Sequence, residues 1–119
     1  RSDWISEGIA EYYAIELRRR AGGMSEDRYQ AIRKKLMGWS KKVTTLRTEE
    51  STGPVTARAV LLLQELDREI RKNTNNQRSL DDVTRGLMRL DKATTKDLIE
   101  ISENVMGRAS DVLDTPLLR

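Results

Sequence analysis

The stretch Ala59-Val60-Leu61-Leu62-Leu63, continued by Leu66 and Ile70, is apolar on every side of a helical wheel. A helix of that kind persists in water only when other elements surround it. The rest of the chain supplies such elements in the same period. Asp3 is placed to cap a first helix running to about Ala21, with Ile5, Ile9, Tyr12 and Leu17 near one stripe, and Gly22-Gly23 is placed to end it. Ser25, followed by Glu26 and Asp27, marks the next start. Tyr29, Ile32, Leu36, Trp39 and Val43 then recur at steps of three and four, so a second amphipathic helix is expected there. The central helix reads from about Val55 to Lys72, and the asparagine-rich run from Lys72 to Arg78 reads as a connector.

Ser79 with Asp82 and Thr94 with Asp97 repeat one start signal, a hydroxyl followed three residues later by an acid. Leu80, Val83, Leu87 and Leu90 give the fourth helix its stripe; Leu98, Ile101 and Val105 carry the fifth to Gly107. A turn from Ser110 and a short tail from Thr115 follow. No segment alternates with period two, so an all-α bundle of about five helices is expected, as one helical domain over 1–119. Residues 44–54, with threonines, a glycine and Pro54, break the period and read as one long loop. Met24, Met37, Met88 and Met106 read as packing fillers.

Composition narrows the chemistry. The 119 residues include no cysteine, histidine or phenylalanine. This excludes a disulfide framework, a Cys/His zinc site and a Ser-His-Asp triad built from the chain by itself. No apolar run approaches the roughly 20 residues of a membrane span, no stretch reads as a signal peptide, and the piece is expected to be soluble with its compartment open. Basic residues outnumber acidic ones by 22 to 19, and the excess lies early: residues 1–47 hold 11 basic and 6 acidic side chains. Arg28, Arg33, Lys34, Lys35, Lys41, Lys42 and Arg47 make a basic stretch. The preferred reading of residues 28–47 is a solvated helix face, and a nucleic-acid partner is not expected, since no aromatic-rich sheet motif or recognition-helix signature accompanies the charge; the alternative is a stand-alone helical interaction module that binds nucleic acid or an anionic surface through this face.

The most pointed segment runs from Trp4 to Tyr13. Glu7 and Glu11 stand one helical turn apart and share a face, an arrangement suited to a divalent cation or to acid–base work. Gly8 between them weakens a helix by about 0.5–1 kcal/mol relative to alanine, which points to the close approach of another backbone or a ligand.

Trp-x-x-Glu-Gly followed by Ala-x-Tyr-Tyr resembles the stretch after the zinc-binding helix of gluzincin metallopeptidases, the aminopeptidase N family and its glycyl-aminopeptidase-like relatives. Arg20-Ala21-Gly22-Gly23 through Tyr29, Arg58 to Asp67, Ser79 to Val83 and Thr95 to Leu98 with Gly107 are similar, in order and spacing, to that family's later helices. The resemblance implies that Glu7 is the third zinc ligand, with Gly8 and Glu11 as substrate-cleft candidates beside it. It implies that the two imidazole ligands and the general base come from a His-Glu-x-x-His helix about 18 residues before Glu7, beyond Arg1. It therefore implies a fragment: the C-terminal helical part of a catalytic domain, one wall of a peptide cleft, with zinc in the parent and none in this piece. Aligned in this way, Thr56 stands where the family usually has a tyrosine whose hydroxyl stabilises the oxyanion. A threonine side chain stops short of where a phenol reaches, so a degenerate parent that binds peptides without cutting them is admitted too.

Overall fold

The structure is a computed structural model and describes residues 3–119. Its helices are α1 (Asp3–Arg20), α2 (Glu26–Trp39), α3 (Gly53–Asn73), α4 (Leu80–Leu87) and α5 (Thr95–Met106), with a short 3₁₀ turn at Pro116–Leu118. The described residues contain no strand. The all-round apolarity of α3 has a structural cause: the helix serves two cores. Ala59, Leu62, Leu63, Leu66 and Ile70 meet Trp4, Ile5 and Tyr12 of α1 and the inner sides of α4 and α5. Ala57, Val60 and Leu61 meet Ile15, Tyr29 and Leu36 in a smaller cluster between α1 and α2. α3 is thus the axis about which the other four helices are arranged.

The start and stop signals act at the expected positions. Gly22 and Gly107 adopt left-handed backbone at the ends of α1 and α5, a conformation that costs glycine nothing. The Ser25 hydroxyl accepts the Arg28 amide. Ser79 with Asp82 and Thr94 with Asp97 form reciprocal capping boxes. Asp3 is different: it lies inside α1, and its carboxylate accepts the Ser51 amide at 2.9 Å, tying the helix to the chain before α3.

Four stripe assignments need correction. Leu17 is 56% exposed, and Ile15 is buried in its stead. Ile15 follows Tyr12 by three residues and stays on the stripe, whereas Leu17 follows it by five and falls outside. Trp39 is 62% exposed although it follows Leu36 by three. α2 ends there: the Ser40 amide and hydroxyl both donate to the Leu36 carbonyl and the chain turns away. Val43 and Leu90 lie past the ends of α2 and α4. Met37 and Met88 are exposed, so only Met106, buried, and Met24, packed on the smaller cluster, fill space.

The connection from α2 to α3 spans residues 40–52, not 44–54, because Gly53 and Pro54 open α3. Proline suits the first turn of a helix, where no intrahelical partner waits for its missing N–H. Leu46 is fully buried on this connection, and its amide donates to the Leu117 carbonyl of the tail. The turn that leads to the tail is held by Glu69 of α3, whose carboxylate accepts the Ser110 hydroxyl and the amides of Asp111 and Val112.

Candidate functional site

The N-terminal half of α1 has two unlike sides. Trp4, Ile5, Gly8 and Tyr12 are buried against α3. A Cβ on Gly8 would lie 2.9 Å from the Ala59 Cβ and 3.5 Å from Leu63 Cδ1. Gly8 therefore faces α3 and lets the two helices touch, which is the close backbone approach that its place in a helix implied. The substrate-cleft candidate Gly8 thus sits in the helix seam, while Glu11 stands in solvent with Glu7. Neither carboxylate makes a hydrogen bond or ion pair with any described residue. They are two free carboxylates one turn apart on a helix whose other side is clamped.

α1 is held again at its far end. Asp81 of α4 accepts the Tyr13 hydroxyl at 2.6 Å and the Arg20 guanidinium at 3.0 and 3.2 Å. Burial pushes the Tyr13 phenol up, and its hydrogen bond to Asp81 pushes it further, so it is a donor at neutral pH. Burial acts on Asp81 in the opposite sense to its donors, and Arg20 and Tyr13 prevail, holding the carboxyl below the usual carboxylate range. Three polar side chains here tie the C-terminal half of α1 to α4.

Thr56 lies in the first turn of α3, half-buried, with its hydroxyl 2.6 Å from the Ser51 hydroxyl. It is engaged with the connection that precedes the helix. A fit to zinc can be judged for one ligand: no cation among the described residues pairs with Glu7, which leaves its oxygens available there. Imidazoles must come from elsewhere, since the chain has none, and no three acidic side chains among the described residues cluster closely enough to hold a metal.

Two hollows escape a reading of spacing. The larger, about 1080 Å³, lies between α1 and the α4–α5 turn, with Ser6, Ile9, Met88, Leu90, Lys92 and Ile99 on its walls. Residues far apart in sequence make it, and only the cluster of exposed apolar side chains at 88–99 hints at it. The smaller, about 370 Å³, is formed by Gly38, Trp39, Lys41, Lys42, Val43 and Pro54. It falls inside the basic stretch. Arg28, Lys34, Lys35, Lys41, Lys42 and Arg47 are exposed there, while Arg33 turns inward to donate to the buried Gln64 at 2.8 Å. No helix among the described residues is long and apolar enough to cross a membrane. Set against known proteins, the chain matches no family model, no curated protein and no solved structure.

Proposed function

We propose that this chain is the C-terminal helical portion of a zinc-dependent metallopeptidase domain of the gluzincin type, with Glu7 as the carboxylate ligand of the metal. The observation that carries the reading is the division of α1. Glu7 and Glu11 are exposed and pair with no described residue, and the opposite side is seated on α3 through Gly8. A carboxylate that is to ligate a metal must not already be tied to another cation, and its helix must be positioned by packing. Glu7 is unpaired among the described residues, and its helix is packed on α3. Beside two imidazoles, its carboxylate would leave zinc a position for a water of lowered pKa, the nucleophile of peptide hydrolysis. Zinc belongs to the intact parent in this reading, and peptide is the substrate. Glu11, one turn on, is in this reading the substrate-cleft carboxylate that a peptide amine would meet.

The isolated 119 residues should neither turn over peptides nor take up stoichiometric zinc. In the gene, a His-Glu-x-x-His codon run is expected about 18 residues ahead of Glu7. The full-length protein should then bind one zinc, and Glu7→Gln should lower that affinity by about 100-fold or more without loss of helicity. An upstream sequence without that motif, or a Glu7→Gln protein with unchanged zinc content, overturns the assignment. Thr56 argues for slow or absent hydrolysis even in the parent, so zinc content rather than turnover is the deciding measurement.

A further inference from the structure

Trp39 closes α2 and is 62% exposed, yet its indole is not loose. It lies across Gly53 so closely that any Cβ at position 53 would overlap the six-membered ring. The ring forms one wall of the 370 Å³ hollow, with Val43 and Pro54 as apolar neighbours and Lys41 and Lys42 at the edge. Lys35, one turn back on α2, shares the face of Trp39. From Arg28 to Thr48 the sequence holds seven basic residues and no acidic one. None of Lys34, Lys35, Lys41 and Lys42 forms an ion pair among the described residues. A positioned aromatic ring in a concave site, with Lys41 and Lys42 on the same lining and unpaired among the described residues, is therefore open to solvent.

From this we infer that the Trp39 hollow binds single-stranded nucleic acid, one base stacking on the indole and adjacent phosphates resting on Lys41, Lys42 and Lys35. Every base has a π-face, so such an interaction tolerates any sequence, and lysines bind phosphate as point charges. An anionic membrane would meet the same charges, but insertion needs apolar side chains that project. Here Val43 and Pro54 are half-buried in a depression beside the indole, and Met37, the other large exposed apolar side chain of α2, stands two residues from Trp39 and so on another face, which leaves no continuous apolar face to enter a bilayer. Duplex is disfavoured for a related reason: its bases are stacked on one another and do not reach the ring. The inference is independent of Glu7.

The chain reports on this site by itself. It has two tryptophans, and Trp4 is 1% exposed, so a change in emission on binding comes from Trp39. Titration of the purified chain with single-stranded oligothymidylate should quench that emission saturably. Anisotropy of a labelled strand should show Trp39→Leu binding about tenfold more weakly. The double variant Lys41→Gln, Lys42→Gln should weaken binding and flatten the salt dependence by about 0.7 in log–log slope for each phosphate that is no longer neutralised. Glu7→Gln should leave the titration unchanged. Equal affinity for a duplex of the same length overturns the inference, as does a Trp39→Leu variant with unaltered affinity. A blue-shift of Trp39 on phosphatidylserine vesicles, with no response to the oligonucleotide, overturns it in favour of a lipid surface.

Discussion

The chain's two tryptophans each lie beside a glycine at the junction of a helix with α3, and their fates are opposite. Trp4 enters the main core, and Gly8, four residues on, brings α1 against Ala59. Trp39 rests on Gly53 from outside and keeps most of its ring in water. In the first case the glycine is on the peripheral helix and lets two backbones approach, so the neighbouring aromatic is swallowed. In the second it is on α3, where the helix begins, and no further element arrives to cover the ring. A glycine against an aromatic does not by itself mean core: what matters is whether α3 continues past the point where they meet.

The contrast is sharpest in stability. Trp4→Ala should destabilise the chain by about 3–5 kcal/mol, from lost burial and the cavity left behind, whereas Trp39→Ala should cost under about 1 kcal/mol. Urea denaturation of the two variants measures both, and equal losses would break the comparison. Gly8→Val should come next, at about 1–3 kcal/mol, since its methyls must displace Ala59 or spread the α1–α3 seam. Ala59 is fully buried and has no room to yield.

Smaller again is the tie at the far end of α1. Tyr13→Phe removes a hydrogen bond to a partly buried carboxylate and should cost about 1 kcal/mol. The same tie gives a pH signature. The Asp81 carboxyl lies lower in the folded chain than its ordinary value because Arg20 and Tyr13 outweigh the opposing effect of burial. Its contribution is therefore complete above the ordinary carboxylate range, near pH 4, and is lost as pH falls through the lowered folded value. Asp81→Asn should flatten the acid limb of a stability–pH curve, and it should soften the alkaline limb too, since the Tyr13 phenol loses part of what holds it raised. The smallest effect should be Gly53→Ala: stability within about 0.5 kcal/mol of the parent, because the displaced indole is already exposed and alanine favours the helix. Its mark should be a changed Trp39 emission instead.

Five helices, their caps and the central burial of α3 are legible in the sequence, because each depends on residues within one or two turns of one another. Ser79 with Asp82 and Thr94 with Asp97 are local circuits, complete within four residues. Most of the exceptions lie at helix ends. Trp39 and Leu90 continue a stripe in sequence after the neighbour that would cover them has turned away, and that depends on where another helix stops. Of the candidate site, the shared face of Glu7 and Glu11 and the close approach at Gly8 follow from helical spacing. The union of Tyr13 and Arg20 with Asp81 does not, since it joins residues more than sixty positions apart. The Trp39 hollow does not either, because Pro54 reaches it from the far side of a connection.

The bond between the Leu46 amide and the Leu117 carbonyl joins the middle of the chain to its tail. Its loop encloses α3, α4 and α5, so it can close only after those helices have found one another. The 40–52 connection should thus be the last part to gain protection when the protein refolds. A pulse of amide deuteration should label Leu46 after the interior of α3 has already become inaccessible, and tail-directed destabilisation should accelerate unfolding while leaving the folding rate nearly untouched.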